Sequence, residues 1–217
     1  MMIPVSLLIC TLLMTTSAFG QVTDDSLYQV PAPEGWGKET IQLPPEFAPD
    51  MAWHGTEELR FAPKWLKAES ETFFSYALLF RLPDNQKLDA KTLESELLTY
   101  YRGLSKAVSE SKEVEVDLKP FTMTVKADST KTARRAGGED ITAFAGELSW
   151  IEPFTTGKLQ TLHMDIQVWH SVKYKGSCVF ICASPLPQTA EVWKSLREIR
   201  EGCVLIEATQ PGTETKP

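Results

Sequence analysis

Apolar residues in this chain change their spacing several times, and each change marks an element. From Thr72 to Leu82 one face of an extended segment carries Phe74, Tyr76, Leu78, Phe80 and Leu82, while the other carries Phe73, Ala77 and Leu79. Apolar groups on both faces belong to a strand covered from both sides, so this segment is expected near the centre of a sheet. Two shorter alternating runs precede it: Glu39 to Leu43, with Ile41 and Leu43 on one side, and Leu59 with Phe61. Pro44-Pro45 and Pro63 end them, because proline cannot donate to a ladder. Asp89 is suited to cap a helix N-terminus. After it Leu93, Leu97, Tyr100, Tyr101, Leu104, Ala107 and Val108 recur at steps of three and four over about twenty residues, the spacing of an amphipathic helix.

Period-two alternation then returns twice, at Val114, Val116 and Leu118 and again at Phe121, Met123, Val125 and Ala127, predicting two strands. The polar stretch Asp128 to Asp140, which holds Lys131, Arg134, Arg135 and Gly137-Gly138, reads as an exposed loop. Ile141 to Trp150, Leu162 to His170 and Ser177 to Ala183 supply three further strands, joined by short turns near Thr156-Gly157 and Lys173 to Gly176 that suit antiparallel neighbours. Gln188 to Gly202 closes the series as a second amphipathic helix, with Val192, Trp193, Leu196, Ile199 and Cys203 on one stripe and Gly202 near its end. The expected class is α+β: an antiparallel sheet of about six to eight strands with two amphipathic helices packed on it.

That order of elements carries a resemblance. With Ile41-Gln42-Leu43-Pro44 near the start of the domain, and Cys178 to Ala183 leading through Pro185 and Pro187 into the Val192 to Ile199 helix, the chain resembles the PsbP-like fold, a sandwich of sheet and helices. The resemblance covers most of the mature chain and rests on topology. It implies an accessory or binding role, although fold alone does not fix function. Nothing in the residues points to photosynthesis, and an exported family outside that fold accounts for them equally.

The ends differ from the middle. Met1 to Gly20 contains no charged side chain, and Ile3 to Met14 is an apolar run broken only by Pro4, Ser6 and Thr11. Such a run is short of the about twenty residues a membrane-spanning helix needs, and Ala18-Phe19-Gly20 offers the small residues a signal peptidase accepts. Residues 1–20 are therefore read as a secretory signal cleaved after Gly20, with an uncleaved anchor as the alternative, since the basic start usual in signals is missing. Cys10 is an ordinary residue of the apolar stretch. Residues 21–35, with Pro31, Pro33 and Gly35, read as a flexible leader, and 208–217 as a disordered tail. A single domain is then expected over 36–207. About 197 residues remain after cleavage, enough to bury a proper core, and no later segment is apolar enough to span a membrane. The expected location is secreted or periplasmic.

Charge narrows the partners. The chain carries 22 basic and 29 acidic side chains, a net charge of -7, all of it outside the signal. Such a protein repels phosphate backbones, so the expected partner is a protein or a small ligand and not nucleic acid. Lys131, Arg134 and Arg135 form a positive cluster in the expected loop, read as solvated charge or as a dock for an anionic surface.

Three cysteines survive processing. Cys178 and Cys182, four apart on one strand, are about 13 Å apart and cannot bridge. If the last helix runs back along that strand, its about 22 Å of travel brings Cys203 nearer Cys178. A Cys178–Cys203 disulfide, closing a loop of about 25 residues and contributing on the order of 3 kcal/mol, is the candidate pair, against three buried thiols.

No run of residues matches a nucleophile, cofactor or metal signature, and the three histidines lack metal-ligand spacing. Two groupings remain. Keeping apolar residues opposite one another across the Thr156-Gly157 hairpin sets Glu147, Ser149, His163 and Asp165 on one polar face. Two carboxylates and an imidazole there are read either as a solvated sheet face or as an acid-base or metal site. Trp36, Trp53, His54 and Trp65 fall in loop-rich segments and either pin those loops or form a stacking surface for a glycan or apolar peptide. The functional expectation is an exported, non-catalytic binding or accessory module without a cofactor. The alternative is a small extracytoplasmic hydrolase or metal-binding protein built on Glu147, His163 and Asp165.

Overall fold

A computed structural model describes residues 28–83, 86–131 and 139–205. The signal segment, the tail, and Arg134 and Arg135 lie outside the described residues. Among the described residues nine strands and two long helices follow one another as β1 (Tyr28–Gln29), β2 (Gly37–Leu43), β3 (Gly55–Phe61), β4 (Tyr76–Leu82), α1 (Ala90–Ser111), β5 (Thr122–Ala127), β6 (Ile141–Ile151), β7 (Leu159–Ser171), β8 (Gly176–Ser184), α2 (Val192–Glu201) and β9 (Val204–Leu205). Seven strands form one antiparallel sheet in the order β2-β3-β4-β8-β7-β6-β5, and β1 pairs with β9 in a second, two-stranded sheet.

The two sheet faces build two cores. Leu78, Phe80, Ile181, Val179, Ile166, Met164, Leu148 and Met123 share one face with Leu93, Leu97, Tyr100 and Tyr101 of α1. Ala77, Leu79, Phe180, Cys178, Cys182 and Trp169 share the other with Trp193, Leu196 and Ile199 of α2. β4 and β8 lie in the middle and are buried along their whole length, as strands covered twice must be. Asp89 caps α1 by accepting the Thr92 N–H, and α1 also guards an edge: Glu94 accepts the Val125 N–H of β5 at 2.8 Å.

Four expectations change. Tyr28, Gln29 and Val30, placed in the flexible leader by their Pro-rich surroundings, are docked: Tyr28 is 1% exposed and the Arg60 guanidinium donates twice to the Val30 carbonyl. A single buried ring and a strand partner supplied from the far end of the chain outweigh the breakers. β4 begins at Tyr76 instead of Thr72, because Phe74 turns into the left-handed region at φ 45° to enter a cluster of Trp65, Trp150 and Phe154 rings. α2 begins at Val192, after turns closed by Ala190 and Trp193 amides on the Pro187 and Ala190 carbonyls. Val114 to Leu118, patterned as a strand, joins no ladder.

Candidate functional site

The polar face forms in the expected register, with Leu148 opposite Leu162, Glu147 opposite His163 and Ser149 opposite Thr161. Its members part company in the third dimension. Glu147 Oε1 lies 3.3 Å from His163 Nδ1, and both side chains are open, at 64% and 33% exposed. Asp165, one pleat further along β7, is 1% exposed because α2 crosses over it. Arg200 Nη1 is 3.1 Å and Arg197 Nε 3.6 Å from Asp165 Oδ2. A carboxylate held between two guanidiniums is a structural ion cluster, not a base waiting for a substrate. Among the described residues no group of three or more His, Cys, Asp and Glu side chains could hold a metal ion.

A second ion cluster sits on the same face and has no counterpart in the sequence-based reading. Glu58 Oε2 is 3.0 Å from Arg60 and its Oε1 3.4 Å from Arg81, all three buried. Arg60 also donates to its neighbour, the Leu59 carbonyl. Its two bonds to Val30 make it the clamp that holds β1 on the sheet. The signal was present as Glu58 and Arg60 two apart, hence on one face of a strand, with Arg81 inside an otherwise apolar run.

On the opposite face Glu57 projects into the α1 core. It is 0% exposed and accepts the Tyr100 hydroxyl at 3.0 Å. Burial pushes its carboxyl up to about 8, and the nearby Glu39 charge adds to the rise, while the Tyr100 bond opposes it. At neutral pH the group is mainly a neutral acid. Burial likewise raises the hydroxyls of Tyr76, Tyr100 and Tyr101, and those of Tyr76 and Tyr101 are hydrogen-bonded to each other.

The aromatic set does not assemble. Trp53 is fully buried, 5.2 Å from the Phe80 ring. Trp65 stacks on Phe61 at 4.5 Å, on the α1 side of the sheet, whereas Trp36 packs against the α2 core, and His54 is exposed. Two faces of one sheet cannot present a common stacking surface. These tryptophans pin their loops.

The expected Cys178–Cys203 disulfide is absent: Cys178, Cys182 and Cys203 are buried thiols. The cysteines are not brought close enough to bridge, although α2 does pack on β8. Leu196 lies over Cys182, whose thiol donates to the Leu196 carbonyl at 3.3 Å, and the Arg197 and Arg200 side chains extend to Asp165 on β7. Burial pushes the Cys182 thiol up to about 12, so it is not a nucleophile at neutral pH.

A cleft of about 330 Å³ opens at the C-terminal end of α1, between Val114–Asp117 and the turn that follows β6. Ser109, Lys112, Ile151, Pro153 and Thr155 complete its wall. Among the described residues no helix is long and apolar enough to cross a membrane. Compared with protein-family models, with curated proteins and with solved structures, the chain matches none.

Proposed function

We propose that this protein is an exported, non-catalytic binding or accessory module, the role that its PsbP-like order of elements implies. One observation carries the reading. The carboxylate that the sequence sets beside Glu147 and His163 is Asp165, and Asp165 lies under α2 between Arg197 and Arg200. A general base must reach its proton within hydrogen-bonding distance, and a side chain sealed beneath a helix does not. What is left, Glu147 with His163, is an exposed pair of the kind that decorates a solvated sheet face.

The alternative, a small hydrolase or metal-binding protein using Glu147, His163 and Asp165, makes a different forecast. Purified protein and the His163→Ala variant are incubated with chromogenic esters, phosphate esters and casein, with and without added divalent metal. The binding reading expects no turnover above buffer from either protein. Turnover that disappears in His163→Ala would overturn it.

A further inference from the structure

The ladder between β5 and β6 runs with Thr122 opposite Ser149 and Thr124 opposite Glu147. Continued backward in the same register it would bring Val116 opposite Thr155 and Asp117 opposite Phe154. The two segments separate instead. Pro120, which has no N–H, would have to face Ile151, and a turn closes there with the Phe121 amide on the Leu118 carbonyl. On the β6 side, the fully buried Glu152 carboxylate gathers the amides of Phe154, Thr155 and Thr156, while Lys112 Nζ donates to the Pro153 and Phe154 carbonyls at 2.6 Å. The cleft is the space left where the strands part.

Its two walls differ. The backbone of the turn wall is occupied by Glu152 and Lys112. The other wall, Val114 to Asp117, carries the alternation of a strand, with Val116 packed against the core and Glu115 and Asp117 exposed. Among the described residues its Glu115, Val116 and Asp117 backbone groups find no hydrogen-bond partner. Val114, 59% exposed, is one of the largest apolar surfaces left open. A β-patterned segment with an open backbone edge is a template for strand addition, in which main-chain bonds supply affinity and alternate side chains supply selectivity.

We propose that this cleft receives an extended peptide segment of a partner protein, added as a strand along Val114–Asp117, with basic side chains alternating toward Glu115 and Asp117. The two carboxylates select the charge of the occupant. Lys112, the cation of the cleft, has its Nζ hydrogen-bonded to the carbonyls of the turn wall. The volume of the opening accepts a short stretch of chain and not a folded surface. This goes beyond the binding-module reading by naming a site and a ligand class, and it stands on different residues from the His163 test.

The probe is a short synthetic peptide alternating Lys and Val, titrated against the full protein while amide hydrogen exchange is followed by NMR. The expected result is saturable binding that slows exchange at alternate amides of Val114–Asp117, those on the edge the peptide joins. The same peptide N-methylated at alternate amides, which keeps the charge but loses the ladder, should bind about tenfold more weakly or worse. Glu115→Lys with Asp117→Lys, both at exposed positions, should abolish binding while leaving the thermal transition in place. Absence of binding, binding without protection of those amides, or equal affinity for the N-methylated peptide would each overturn the proposal. A peptide that fails to bind leaves the catalytic test of Glu147 and His163 unaffected.

Discussion

Replacing Glu57 with Gln should make the protein more stable at alkaline pH and leave it nearly unchanged at acidic pH. The carboxyl is fully buried and its folded-state value stands at about 8, against 4.5 for the unperturbed group. Between those values the folded state holds a proton that the unfolded state has released, so stability falls as pH rises through that window. The stabilising contribution of the neutral acid is complete below about pH 4.5 and lost above about pH 8. At about 1.36 kcal/mol per pH unit the rise corresponds to a ceiling of about 5 kcal/mol, which local relaxation and water entry reduce toward about 2–3 kcal/mol. Gln keeps the shape and the oxygen that accepts the Tyr100 hydroxyl, and it does not titrate. Urea unfolding of both proteins at intervals between pH 5 and pH 9 isolates the effect, because contributions from the other titrating groups cancel in the difference. The expected difference is near zero at pH 5 and grows in favour of Glu57→Gln to a few kcal/mol by pH 9. A difference that stays flat across the range would refute the reasoning, since it would mean Glu57 ionises within the folded protein at no cost.

Three further substitutions test the α2 and α1 interfaces. Asp165→Asn should destabilise by about 3–5 kcal/mol in chemical denaturation, because Arg200, and Arg197 in part, would be left without a compensating charge; adding Arg200→Met should recover part of the loss. Gly103→Ala lies inside α1, where helix propensity alone favours Ala by about 1 kcal/mol, yet the added methyl would stand 2.2 Å from the Phe47 carbonyl oxygen. The clash should reverse the sign, and a thermal midpoint raised by the substitution would contradict it.

Why some of this was legible in the residues and some was not comes down to range. Spacing within one segment is a local property, so the α1 stripe through Leu93, Leu97, Tyr100 and Tyr101, its Asp89 cap, and the doubly buried β4 could be read directly. The β6–β7 register was also legible, since a one-residue slip would have put Leu148 and Trp150 on the polar face with His163 and Asp165. Val114 to Leu118 shows the limit of the same logic. Its alternation describes a willingness to be a strand, but a ladder needs a second backbone, and Pro120, Glu152 and Lys112 take that backbone away.

By itself the sequence determined which faces are apolar and the order in which most strands and both helices follow one another, and hence an antiparallel sheet with two helices on it. Only the tertiary structure decided how α2 crosses that sheet. From α2, Arg197 and Arg200 reach over Asp165 and bury it, which divides a face that looked continuous into an open Glu147–His163 pair and a closed ion cluster. That placement comes from side chains on separate elements packing together, Leu196 over Cys182 and Trp193 into the second core, and no spacing within either segment encodes it.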